Sequence, residues 1–169
     1  DGLRVYTTID SRMQQYAEEA VSEHMQELQK SFFREKRNKS YAPFSQDLTP
    51  EDIDGIMNRS MRQTDRYRGL KQQGLSEADI KKSFKTPVAM RVFSYNGLID
   101  TVMTPMDSIK WNKHFLRCGF MSMDAHSGAV KAYVGGPNFA HFQYDMVTSG
   151  RRQVGSTIKP YLFTLAMDE

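Results

Sequence analysis

The sequence predicts an α+β fold with antiparallel strands, and three patterns predict it. Apolar residues recur at helical spacing from Met13 to Leu28. Two hairpin signals stand at Asn96-Gly97 and at His126-Ser127-Gly128. Strands and helices then mix without the regular spacing of βαβ units. At 169 residues, 39% hydrophobic and 25% charged, the chain is an ordinary globular protein with material for one sizeable core.

Leu3, Val5, Thr7 and Ile9 alternate with polar neighbours and predict a short opening strand. Asp10 then caps an amphipathic helix running to about Phe32, with Tyr16, Ala17, Met25 and Leu28 on its apolar face and His24 packed among them. From 33 to 87 charge and glutamine dominate, which predicts a helical insertion. Thr49-Pro50-Glu51-Asp52 starts one helix, with Ile53, Ile56, Met57 and Met61 as a narrow stripe; Ser76 caps another. The basic residues between Arg59 and Lys85 are interspersed with Asp and Glu and read as a solvated face, not a nucleic-acid patch. Strands follow at Val88–Ser94 and Leu98–Met103. A helix opens at Pro105 and runs to about Arg117, ended by Gly119. A second hairpin spans Phe120–Val134, a loop runs from Gly135 to Gly150, and a helix starts near Ser156 and continues to the end.

Composition excludes several functions. A net charge of +3 with pI near 9.0 suits contact with an anionic polymer but is too small to argue for nucleic acid. Cys118 is the one cysteine, so no internal disulfide forms; the thiol reads as a core group, and no metal-ligand set accompanies it. No apolar run reaches the length of a membrane span, and no signal peptide is visible. A chain that opens on Asp1 is expected to be an excised piece.

The chemistry lies in Arg151-Arg152-Gln153-Val154-Gly155-Ser156-Thr157-Ile158-Lys159-Pro160. Gly155 allows a tight turn into a helix. Lys159 falls one turn after Ser156 on the same face, so an amine stands beside a hydroxyl whose proton it can take. The helix N-terminus favours negative charge developing there. Ser-x-x-Lys also arises as a helix cap followed by a solvated lysine, so the surroundings decide.

Those surroundings carry a resemblance. Arg151 to Pro160, followed by Tyr161-Leu162-Phe163, closely resembles the R-Q-P-G-S-x-x-K-P-F/Y stretch of class A penicillin-binding proteins, with Val154 in place of proline. Gly119 to Gly136 is similar to that family's strand, D-P-x-T-G turn and second strand ending in G-G. Val5-Tyr6-Thr7-Thr8-Ile9-Asp10 with Gln14 to Val21 is similar to its opening T-T-I-D-x-x-x-Q-x-x-A-E-x-A-V. The three matches occur in the family's order and cover about 1–30 and 88–169.

The resemblance implies the N-terminal portion of one transpeptidase domain: opening strand and helix at 1–32, insertion at 33–87, strands and nucleophile helix at 88–169. The fold would be a partial penicillin-binding/β-lactamase-like one. It implies a serine D,D-transpeptidase with Ser156 as nucleophile and Lys159 as general base, using neither cofactor nor metal. Its partners would be peptidoglycan stem peptides, with β-lactam antibiotics as acylating inhibitors, and a cell-wall regulator could contact the insertion. The location would be periplasmic, on the outer face of the inner membrane. A glycosyltransferase domain and a membrane anchor would precede Asp1, and the membrane would be met only through that anchor. The family's S-x-N and K-T-G motifs do not follow Ser156, which implies that the chain alone is inactive. Ser94-Tyr95-Asn96 and Lys85-Thr86-Pro87 imitate them in the wrong order. Two rivals stand beside this reading: a non-catalytic module that binds peptidoglycan or a regulator, and a β-lactamase or β-lactam sensor. The T-T-I-D opening and the terminal G-G argue against the second.

Overall fold

The computed structural model describes residues 2–168 and contains, among them, six α-helices and two two-stranded antiparallel sheets. This is the α+β class. The chain divides into two compact units, one from Glu18 to Arg117, the other made of residues up to Ala17 together with those from Cys118 onward.

In the unit from Glu18 to Arg117, most of α1 (Ser11–Lys36) is followed by α2 (Pro50–Arg62), α3 (Asp65–Gln72) and α4 (Glu77–Phe84). A hairpin of β1 (Val88–Val92) and β2 (Ile99–Met103) leads to α5 (Pro105–Lys113). Each short helix starts on a side-chain cap. Thr49 and Asp52 form a reciprocal capping box on α2, Thr64 receives the Tyr67 N–H on α3, and Ser76 receives the Asp79 N–H on α4. Met61, Ile80 and Phe84 form the centre of a buried cluster, with Tyr67, Leu70, Leu75, Met106 and Ile109 against it. Burial of three such side chains contributes roughly 1.5–3 kcal/mol each. A second, aromatic cluster joins Phe33, Phe93, Trp111 and Phe115, and the Trp111 indole donates to the Phe93 carbonyl at 2.8 Å.

Two expectations change here. Asp65–Gln72 is a helix the apolar pattern did not predict, because only Tyr67 and Leu70 turn toward the core. Helix α5 ends at Lys113 instead of Arg117, and Gly119 does not stop it. The stop comes from Gln29 on α1, 2% exposed, whose amide donates to the His114 carbonyl at 2.9 Å. Its oxygen accepts the Leu116 N–H, also at 2.9 Å. A side chain thus takes the backbone groups that another helical turn would have used.

In the other unit, β3 (Phe120–Met123) pairs with β4 (Val130–Val134) from Phe120↔Val134 to Met123↔Val130, with an irregularity between Ser122 and Met123. Asp124 accepts the N–H groups of His126 and Ser127, and Gly128 closes the turn at φ +70°. Residues 3–9 form no strand. Thr8 Oγ1 donates to the Val130 carbonyl at 2.7 Å and the Asp10 N–H to that of Lys131 at 2.9 Å, so the segment touches β4 without a ladder. Asp10 caps α1 as expected, accepting from Arg12 and Met13. The helix itself runs four residues beyond Phe32, to Lys36.

Candidate functional site

The segment carrying Ser156 and Lys159 follows the loop from Gly135 to Gly150, and that loop is tightly held. The Met146 N–H donates to the Gly135 carbonyl at 2.7 Å, closing its base, and Phe142 packs inside it at 3% exposure. Asp145 is its hub. Its carboxylate accepts from the Tyr133 hydroxyl, from the Thr148 hydroxyl at 2.7 Å, and from the N–H groups of Val147 and Thr148 at 2.8 and 3.2 Å. Those bonds, the Tyr133 one foremost, hold the Asp145 carboxyl down at about 2, well below the usual carboxylate range.

Two glycines let backbone approach backbone. A Cβ on Gly150 would lie 2.5 Å from the Met146 carbonyl oxygen, and one on Gly119 would lie 2.9 Å from the Val147 nitrogen. Only glycine fits either place. Gln14 on α1 adds a second side-chain clamp. Its amide donates to the Tyr133 carbonyl at 2.9 Å, and its oxygen accepts the Tyr133 N–H at 2.7 Å.

Past this loop, Gly155 takes φ +50°, a conformation suited to glycine, and Gly155–Ile158 forms a single 3₁₀ turn before α6 (Lys159–Asp168). The sequence expectation of an α-helix from about Ser156 is therefore displaced by three residues. Pro160 gives the reason. In an α-helix the N–H of residue 160 would bond the Ser156 carbonyl, but proline has none, and the Lys159 N–H takes that carbonyl instead. Side chains three apart eclipse one another in a 3₁₀ turn, so Ser156 and Lys159 share a face.

No hydrogen bond joins Ser156 Oγ to Lys159 Nζ among the described residues, and both side chains are exposed. So is the rest of α6, including Tyr161 at 74% and Phe163 at 63%.

Other nucleophile and motif candidates have local duties. Burial pushes the Cys118 thiol upward in pKa, opposite to an activated cysteine. Ser94 Oγ donates to the Gly97 carbonyl at 2.7 Å, and Thr86 Oγ1 to that of Lys82 at 3.0 Å, so both imitation motifs close turns. Among the described residues no group of three or more His, Cys, Asp or Glu could hold a metal ion, and no helix is long and apolar enough to cross a membrane.

Of the residues that hold these segments in place, Gln14 stands in the sequence only as a motif match, and Gln29 and Asp145 do not figure among the sequence-based candidates. Gln29 had a signal, since it lies four residues after Met25 on the buried stripe; Asp145 had none beyond a loop rich in turn residues.

Comparison with known proteins places these observations. Residues 39–116 match the penicillin-binding protein middle domain, which takes in most of the stretch read as an insertion together with the hairpin and α5. The chain is 44% identical over 50 residues to penicillin-binding protein 1A of Vibrio cholerae, covering 30% of this chain and 6% of that protein. It is 47% identical over 49 residues to penicillin-binding protein 1A of Escherichia coli, covering 29% and 6%. A longer match, 23% identical over 128 residues, joins it to penicillin-binding protein 2D of Bacillus subtilis, covering 76% and 17%. The chain thus spans a small part of the length of each of these curated relatives. No solved structure matches. Over part of its length the chain is penicillin-binding protein 1A-like.

Proposed function

We propose that this penicillin-binding protein 1A-like chain carries the nucleophile and the base of a serine D,D-transpeptidase. One observation carries the reading. Within the Arg151–Pro160 motif a 3₁₀ turn aligns Ser156 with Lys159, entered through a glycine at positive φ and set by Pro160.

Ser156 Oγ attacks the carbonyl carbon of a donor peptide ending in D-alanyl-D-alanine. Lys159, neutral at that moment, takes the hydroxyl proton; the Ser156 N–H is one donor to the oxyanion. The C–N bond then breaks, Lys159 returns the proton to the leaving D-alanine amine, and an ester remains on Ser156. An amine from a neighbouring stem peptide attacks that ester, forms the cross-link and frees the serine. A β-lactam enters the same first step and leaves a long-lived acyl group. A base role for Lys159 requires that its amine be withdrawn from water or set beside another cation. Lys159 is exposed here, and on this reading the chain alone is inactive.

On this reading the protein works at the outer face of the bacterial inner membrane, and residues 1–169 are one portion of a transpeptidase domain. The test is labelling with a fluorescent penicillin. The full-length gene product containing this chain labels, its Ser156→Ala variant does not, and the 169-residue chain stays dark. Equal labelling of full-length protein and variant would sink the assignment and favour a module that only binds peptidoglycan or a regulator.

A further inference from the structure

Away from the nucleophile segment, within the unit from Glu18 to Arg117, lies a cleft of about 370 Å³ between the loop after α1, helix α2 and helix α5. Tyr41, Phe44, Leu48 and Ile53, each half-buried, form the apolar part of its lining, and Ser40 adds a polar group. Two charges of opposite sign line the same cleft, Asp54 from α2 and Lys110 from α5.

Neither charge has an ionic partner within 4.0 Å among the described residues, although each is the counter-charge the other lacks. The ion pairs Lys30–Glu27, Lys36–Glu35, Arg68–Asp65, Lys71–Glu77 and Arg91–Asp100 all lie elsewhere. Lys36 stands near, 5.7 Å from the Tyr41 ring centroid, but is engaged by Glu35 at 3.1 Å.

We propose that this cleft binds an aliphatic group bearing both an ammonium and a carboxylate, as in a peptide that presents an amino-acid zwitterion on a methylene chain. The ammonium pairs with Asp54, the carboxylate with Lys110, and the methylenes lie on the apolar walls. Each part answers a feature of the cleft. A purely apolar ligand would leave both charges unused, and a ligand of one sign would meet one attraction and one repulsion. The aromatic and aliphatic part of the lining gives methylenes joining the two charges an apolar surface to lie on, which favours a linear methylene ligand over a small free ion. The inference rests on no part of the nucleophile assignment.

The test titrates the 169-residue chain with 6-aminohexanoate, followed by amide NMR, beside hexanoate and hexylamine. The expected result is that 6-aminohexanoate shifts the amides of Tyr41, Phe44, Leu48, Ile53, Asp54 and Lys110 and binds more tightly than either single-charge probe. Asp54→Asn and Lys110→Gln each weaken it roughly three- to fivefold, the range expected of a partly exposed ion pair. Hexylamine responds to the first variant only, and hexanoate to the second only. Because the three probes are compared first on the unaltered chain, a variant that misfolds does not remove the test. Shifts that avoid the cleft, or equal binding of the three probes, would overturn the proposal.

Discussion

Two helical stretches of this chain put their apolar side chains to opposite uses. From Pro50 to Phe84 the sequence is strongly charged, yet Met61 and Ile80 are fully buried and Phe84 is 1% exposed. From Lys159 to Asp168 the sequence is largely apolar, yet Leu162, Phe163 and Leu165 are each more than half exposed. The first stretch needs few apolar residues because caps and three interlocking side chains hold it. The second has an apolar surface suited to burial and finds no cover among the described residues of its own unit.

Core substitutions separate the two stretches most sharply. Phe84→Ala is expected to cost about 3–5 kcal/mol, read by urea unfolding, whereas Phe163→Ala stays within about 0.5 kcal/mol. Comparable losses would erase the distinction. Next in size is Gly150→Ala. The new methyl would meet the Met146 carbonyl oxygen at 2.5 Å, and the loop must shift at a cost of about 1–3 kcal/mol. An unchanged midpoint would show that the loop gives way freely.

The smallest effect is local and pH-dependent. The Asp145 carboxyl is lowered from 3.8 to about 2 by its bonds from Tyr133, Thr148 and Val147. A lowered carboxylate contributes stability that is full above its unfolded value and is lost as pH falls toward its folded one. The loop from Gly135 to Gly150 should therefore open between pH 3.8 and about 2, followed through the amide signals of Val147 and Thr148. In Asp145→Asn that pH dependence should be absent. Persistence in the variant would move the effect to another group.

Local signals were legible in the sequence and distant ones were not. The caps at Asp10, Thr49 and Ser76 and the turn at His126-Ser127-Gly128 are written in consecutive residues and appear in place, whereas the first hairpin turns one residue before Asn96-Gly97, on Tyr95-Asn96 between Ser94 and Gly97. The opening strand failed because alternation at Leu3, Val5, Thr7 and Ile9 cannot reveal whether a partner edge will pair with it. Helix α3 was missed because its packing onto Met61, Ile80 and Phe84 is tertiary. The end of α5 depends on Gln29, 85 residues from His114 in the chain. In the candidate site, the tight turn at Gly155 is legible in the sequence, and the structure shows no bond between Ser156 and Lys159. The 3₁₀ form of the turn was legible in principle from Pro160, through the N–H it lacks.

Hydrogen exchange on the 169-residue chain, resolved by segment, tests the contrast between the two stretches most directly. Amides around Met61, Ile80 and Phe84 should exchange slowly, and those from Tyr161 to Met167 at close to unprotected rates, since a ten-residue helix without tertiary cover is marginal in water. Equal protection of the two would contradict the account, because α6 would then be held by something other than burial.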